Sequence, residues 1–146
     1  MSKLIPYLAC KDAVKAIDFY TRAFGATETI RLAEPTGRIG HAEVKIGDDA
    51  LMLSDEYPEM GVKGPGSLGG TPVTLTLEVP DADAVVKRAV TLGATLEQPV
   101  KDQFYGDRSG SIRDPFGHRW MIRTPKEKLS EPELKRRYAE LMKQQA

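Results

Sequence analysis

The stretch Asp12-Ala-Val-Lys-Ala-Ile-Asp-Phe-Tyr-Thr-Arg-Ala-Phe-Gly25-Ala26-Thr27 decides the fold, because a close echo of it appears later. Asp81-Ala-Asp-Ala-Val-Val-Lys-Arg-Ala-Val-Thr-Leu-Gly93-Ala94-Thr95 begins 69 positions on (81 − 12), and its closing Gly-Ala-Thr matches at an offset of 68 (93 − 25). Each copy opens on an Asp, whose side-chain oxygen can cap free N–H groups at a helix start. Each closes on a Gly, which tolerates the left-handed backbone at a helix end. A duplicated unit bounds function, since two small units that each lack a full core bury surface between them.

Working outward, Leu4 to Cys10 is a short apolar run that reads as a strand feeding the first helix. Ala13, Ile17, Tyr20 and Phe24 follow the helical period and predict one buried stripe. Thr27 to Ala33 reads as a strand. Gly40 to Ile46 alternates, with Ala42, Val44 and Ile46 on one face and His41, Glu43 and Lys45 on the other. Gly47-Asp48-Asp49 is a hairpin turn into the strand Ala50 to Ser54. The second copy repeats the plan: strand Pro72 to Val79, the helix from Asp81, then strands Thr95 to Val100, Ser109 to Arg113 and His118 to Thr124.

The fold class is therefore α+β: two tandem βαβββ modules, 1–56 and 71–125. Residues 57–70 hold Gly61, Gly64, Gly66, Gly69 and Gly70, and predict a linker long enough to lie over a site. Residues 126–146 form a C-terminal helical extension. Its start is marked by the capping box Ser130-Glu131-Pro132-Glu133, and Leu134, Tyr138, Leu141 and Met142 make its apolar stripe.

Lys+Arg and Asp+Glu balance at 21 each, so no global field favours nucleic acid or an anionic membrane. Met1 to Asp12 lack a signal-peptide pattern, no apolar run reaches transmembrane length, and the single Cys10 has no internal disulfide partner. The expected location is cytoplasmic.

The residues Ala16-Ile17-Asp18-Phe19-Tyr20…Ala23-Phe24-Gly25-Ala26, His41-Ala42-Glu43, Gly106-Asp107-Arg108 and Asp114-Pro115-Phe116-Gly117-His118-Arg119-Trp120 resemble the glyoxalase/bleomycin-resistance/dioxygenase superfamily. Within these vicinal oxygen chelate proteins the chain is most similar to the PhnB-like branch, over about residues 3–124. The resemblance implies a sheet from each module curling around a shared cavity, generally in a homodimer. It also implies, for metal-dependent members, His, Glu or Gln ligands on the first and last strand of each module. The matching positions here are Ile5 and Thr74 on the first strands, and Leu53 and Met121 (by the 68-residue offset) on the last. None suits a divalent metal, and a slip of one residue offers nothing better. No metal and no cofactor are expected.

His41 and Glu43 project together, about 7 Å apart by strand rise. They are either a polar pair in the cavity, with Glu43 orienting His41, or part of a solvated outer face that Lys45 continues. Gln103-Phe104-Tyr105-Gly106-Asp107-Arg108 could hold a small ligand with an aromatic or anionic part, or could be a surface loop with an Asp107–Arg108 pair. Tyr7, Thr74 and Thr76 share a face with Ile5 and its repeat mate, and should line the cavity. The candidate ligand-binding set is thus Tyr7, His41, Glu43, Thr74, Thr76, Gln103, Tyr105 and Arg108. His118 reads as an ordinary packed or solvated His, and Trp120 as core. No catalytic Ser/His/Asp grouping, phosphate loop or Cys nucleophile is visible.

The expected function is metal-independent binding of a small organic molecule between modules or subunits, by a homodimer. Two alternatives stand beside it. One is a metal-dependent lyase, isomerase or dioxygenase using His41 and Glu43. The other is an antibiotic-sequestering resistance protein, which would need a cavity rich in aromatics and acids.

Overall fold

The computed structural model describes residues 1–145. The first module runs β1 (Tyr7–Cys10), α1 (Ala13–Phe24), β2 (Thr27–Ala33), β3 (Ile39–Ile46) and β4 (Asp49–Asp55). A 3-10 turn at Pro58–Met60 and the single-turn helix α2 (Pro65–Leu68) follow. The second module runs β5 (Thr74–Glu78), α3 (Ala82–Thr91), β6 (Thr95–Asp102), β7 (Asp107–Arg113) and β8 (Arg119–Pro125), and α4 (Glu131–Gln144) ends the chain.

The two sheets have one topology, β1-β4-β3-β2 and β5-β8-β7-β6. The first strand of each pairs in parallel with the last, and the other pairings are antiparallel. For the first and last strands the register sets the repeat at 69 residues. Tyr7 sits opposite Met52 and Leu8 opposite Leu53, as Thr76 sits opposite Met121 and Leu77 opposite Ile122. The last-strand mate of Leu53 is therefore Ile122, not Met121. The offset of 68 came from the Gly-Ala-Thr motif, where α1 and its loop run one residue longer than α3.

Local chemistry accounts for the helices. Asp12 Oδ1 accepts from the Lys15 N–H and Asp81 Oδ1 from the Ala84 N–H, both at 3.1 Å. Gly25 stops α1 with φ of 72°. Ala13, Ala16, Ile17, Phe19, Tyr20 and Ala23 are buried on α1, so the stripe is wider than expected, and Phe24 is only half-buried. On β3, Ala42 and Val44 are fully buried while His41 and Glu43 are half-buried on the opposite face.

One core spans both modules. Leu8, Cys10, Val44, Leu51 and Leu53 of the first sheet meet α1, while Ile112, Trp120 and Ile122 of the second join them through α1 and α3. Tyr20 and Phe24 lie with ring centroids 5.4 and 4.8 Å from Trp120, and Phe19 lies 6.3 Å from Phe116. Trp120 is core, as its alternation predicts.

Several boundaries differ from expectation. β1 starts at Tyr7, where the Pro6 carbonyl already accepts from the Met52 N–H but the proline has no N–H to give. β7 begins at Asp107, which makes Asp107 and Arg108 strand rather than loop residues. His118 belongs to the β7–β8 turn, which Gly117 forms with φ of 92°. On α4 the Ser130 hydroxyl accepts from the Glu133 N–H at 3.3 Å, as the capping box requires. No residue of this helix is buried, and it rests on the second module through Tyr138 beside Phe104 and Arg137 bound to the Phe104 carbonyl.

Candidate functional site

β1 and β5 are edge strands of their sheets, and the seam between them is where the modules leave space. A cavity of about 390 Å³ sits at one end of this seam. Tyr7 and Ala9 of β1, Leu75 of β5, His118 of the β7–β8 turn and Arg119 at the start of β8 form its walls; Lys63, Leu68 and Thr71 of the inter-module segment border it. The segment is held in place from both sides. Glu56 Oε1 accepts from the Gly64 N–H and from the Ser67 hydroxyl, each at 2.7 Å. Gly117 lies so near Pro65 that an added Cβ would sit 2.8 Å from the proline Cβ. His118 Nε2 donates to the Ala9 carbonyl at 2.9 Å, joining the second module's turn to the first module's edge strand.

Tyr7 reaches from this cavity toward the exposed face of the first sheet. Its hydroxyl lies 2.8 Å from His41 Nδ1, and His41 Nε2 lies 2.8 Å from Glu43 Oε2. The register places these three on one face, since β4 stands between β1 and β3 and carries Met52 opposite both Tyr7 and Glu43. A carboxylate can only accept, so His41 presents an N–H from Nε2 to Glu43, and in the neutral imidazole Nδ1 accepts from the Tyr7 phenol. The phenol oxygen keeps its lone pairs for a ligand donor. Tyr7 is half-exposed, while the His41 and Glu43 side chains are only about a third accessible, at 27% and 31%. The arrangement can bind a polar group, and can pass a proton between that group and His41.

The family model of the Glyoxalase/Bleomycin resistance protein/Dioxygenase superfamily matches residues 5–122. The chain belongs to this superfamily. It is 45% identical to the uncharacterized protein Mb0911c of Mycobacterium bovis, an alignment covering 90% of this chain and 88% of that protein. Among solved structures it is similar to TioX from Micromonospora sp. ML1, with TM-score 0.67 and 29% identity over 86% of this chain and 99% of that one. The PhnB protein of Bacillus cereus superposes with TM-score 0.68 over 84% of this chain and 99% of that one; at 16% identity this likeness speaks for the fold.

For a glyoxalase-superfamily metal, the donor chemistry at the first- and last-strand positions of this chain does not fit. The 69-residue repeat puts Ile5 and Thr74, and Leu53 and Ile122, at matched positions, with Met52 and Met121 beside them. Aliphatic, hydroxyl and thioether groups are poor partners for a hard or borderline divalent cation. Leu53 and Ile122 are moreover fully buried against the helices. Among the described residues, no three His, Cys, Asp or Glu side chains converge as a metal site would require. Cys10 offers no nucleophile: burial first, then the charge of Asp114, pushes its thiol well above the ordinary range.

The remaining candidates separate. Thr74 and Thr76 lie exposed on β5, and Thr76 with Ile5 and Ala50 borders a smaller cavity of about 240 Å³ at the other end of the seam. Gln103 Nε2 donates to the Ser109 carbonyl at 3.2 Å and the Tyr105 hydroxyl lies 3.0 Å from Ser109 Oγ, so these two form their own cluster beside α4. Arg108 joins neither group. On β7 it has the parity of Ile112, which faces the helices, and it grips Asp83 of α3 at 2.7 and 3.1 Å and Asp102 at 3.2 Å. Asp107 pairs with Arg123, so the expected Asp107–Arg108 pair does not form.

Reading the sequence missed Arg113, Asp114 and Arg119, and passed His118 as ordinary. Their signal lay in the turn Asp114-Pro115-Phe116-Gly117, because a tight turn brings the residues on either side of it together. Asp114 is buried and accepts from the Tyr20 hydroxyl, the Trp120 indole and the N–H groups of Phe116 and His118. It holds the turn, and the turn presents His118 and Arg119 to the cavity.

Proposed function

We propose that this protein binds a small organic molecule, without a metal, in the cavity between its two modules. The observation that carries the reading is the position of Tyr7, which lines that cavity and is hydrogen-bonded to His41, itself held by Glu43. A ligand hydroxyl, amide or enol seated there meets an oriented phenol backed by an imidazole and a carboxylate. The cavity volume suits a metabolite-sized ligand. Thr76, Gln103 and Tyr105 remain part of the proposed binding surface on the second module.

The protein is proposed to act as a two-fold homodimer. Supporting this, β2 is exposed along its whole length and Ile30, Leu32 and Tyr7 are apolar groups left open on the first sheet. The buried free Cys10 is consistent with a reducing, cytoplasmic setting. No helix among the described residues is long and apolar enough to cross a membrane.

A thermal-shift screen across a metabolite library in the presence of EDTA tests the reading. At least one compound class is expected to raise the melting temperature. Stabilisation that appears only after a divalent metal is restored would overturn metal independence. Sedimentation is expected to show a dimer at micromolar concentration, and a monomer throughout that range would remove the assembly.

A further inference from the structure

Four arginines of this structure each meet two acids. Arg38 meets Glu34 and Glu59, Arg108 meets Asp83 and Asp102, Arg123 meets Asp107 and Glu78, and Arg137 meets Glu127 and Glu133. One pair reverses that ratio. Arg113 and Arg119 are direct cross-strand partners on β7 and β8, and between them they share the single carboxylate of Glu97. Like charges placed opposite each other on a sheet repel, so the arrangement is retained against a cost that one carboxylate only half offsets.

The hydrogen bonds leave most of both guanidiniums unused. Arg113 gives one terminal nitrogen to Glu97 Oε2 at 2.5 Å, and Arg119 gives Nε to Glu97 Oε1 at 3.1 Å. Among the described residues neither guanidinium meets another acceptor. Their side chains are 50% and 37% exposed, and both line a cavity of about 690 Å³. The other walls are Gly66, Gly69, Gly70, Thr71 and neighbouring prolines, and no acidic side chain contributes. A net positive pair with unused donors, in a recess walled by glycines, Pro65, Leu68, Thr71 and Pro72, has the chemistry of an anion site.

Arg119 also lines the cavity that holds Tyr7. We propose that Arg113 and Arg119 bind a carboxylate or phosphate, and that the ligand of the inter-module cavity is a small organic acid or phosphate ester whose charged end sits on this pair. The second half rests on the function proposed above; the anion site itself does not.

Titration of the whole protein with inorganic phosphate and, separately, with acetate, at fixed ionic strength, tests this. The side-chain Nε signals of Arg113 and Arg119 in ¹⁵N spectra are expected to shift saturably. A stronger response to phosphate assigns a phosphate ester, and a stronger response to acetate a carboxylic acid. Arg113→Met and Arg119→Met should each weaken binding about tenfold or more, whereas Arg108→Met should leave it unchanged. Absence of any saturable shift in the wild type overturns the site, as does an equal loss in Arg108→Met. If phosphate binds as described while no library compound depends on Tyr7, the anion site stands and the cavity function falls. If a Tyr7-dependent ligand is found but the arginine signals never move, the reverse holds.

Discussion

The hydroxyl of Tyr20, on the helix of the first module, donates to the carboxylate of Asp114, at the β7–β8 turn of the second, at 2.5 Å and 94 residues away in sequence. Both groups are buried, and Trp120 donates to the same carboxylate oxygen. This contact joins the modules and fixes the turn from which His118 and Arg119 enter the cavity.

Tyr20→Phe is expected to cost about 1.5–3 kcal/mol, the usual value of a hydrogen bond to a charged group, read from denaturant unfolding. The pH dependence follows from the phenol. Burial first, then the charge of Asp114, holds the Tyr20 pKa well above its ordinary value. A raised folded-state pKa gives stability that is full below the unfolded value, near 10, and is lost as pH climbs beyond it. Alkaline unfolding should therefore begin above about pH 10 in the wild type, and the Phe variant should lose that part of the pH response.

Gly117→Ala is expected to destabilise by about 1–2 kcal/mol from backbone strain alone, since φ is 92° there. The added Cβ also presses on Pro65, so the segment over the cavity must move. Hydrogen exchange across residues 61–71 should speed up in this variant, and unchanged exchange would show that the turn does not position that segment.

The docking of the C-terminal helix should weaken in acid, through the Glu127–Arg137 pair that ties α4 to the segment before it. Arg136 and then Arg137 hold the Glu133 carboxyl down at about 2, and Arg137 lowers Glu127 as well. Depressed carboxylates stabilise above their unfolded pKa, near 4.3, and that contribution is lost as pH falls through the folded value. Fluorescence or NMR of Tyr138 is expected to be flat down to about pH 4.5 and to report undocking below it, whereas Arg137→Ala should undock α4 already at neutral pH.

Much of this architecture could be read from residues whose partners are local. The Asp12 and Asp81 caps, the alternation of His41 to Ile46 and the Ser130 capping box each act within a few positions, and the structure contains all of them. The site was legible only in part. His41 and Glu43 share a strand, so their pairing could be expected, but the Tyr7–His41 bond depends on β4 lying between β1 and β3. Arg108 lies on β7, and its side chain meets Asp83 on a helix no local rule connects to it. Arg113 and Arg119 stand out only once the antiparallel register sets them opposite each other and one carboxylate is shared between them.

The metal reading has a direct check. Protein purified without chelator is expected to carry no stoichiometric Zn, Ni, Fe or Mn, and added metal should not confer glyoxalase I activity. One tightly held ion per chain, ligated at the first and last strands of the modules, would contradict the assignment made from Ile5, Thr74, Leu53 and Ile122.

The central claim is that Tyr7, backed by His41 and Glu43, meets the ligand in the inter-module cavity. Calorimetric titration of a library hit into wild type, Tyr7→Phe, His41→Ala and Arg108→Ala measures it most directly. The first two variants should bind about tenfold to a hundredfold more weakly while keeping stability within about 0.5 kcal/mol, and Arg108→Ala should bind like wild type. A hit whose affinity survives both Tyr7→Phe and His41→Ala would place the binding site elsewhere on the protein.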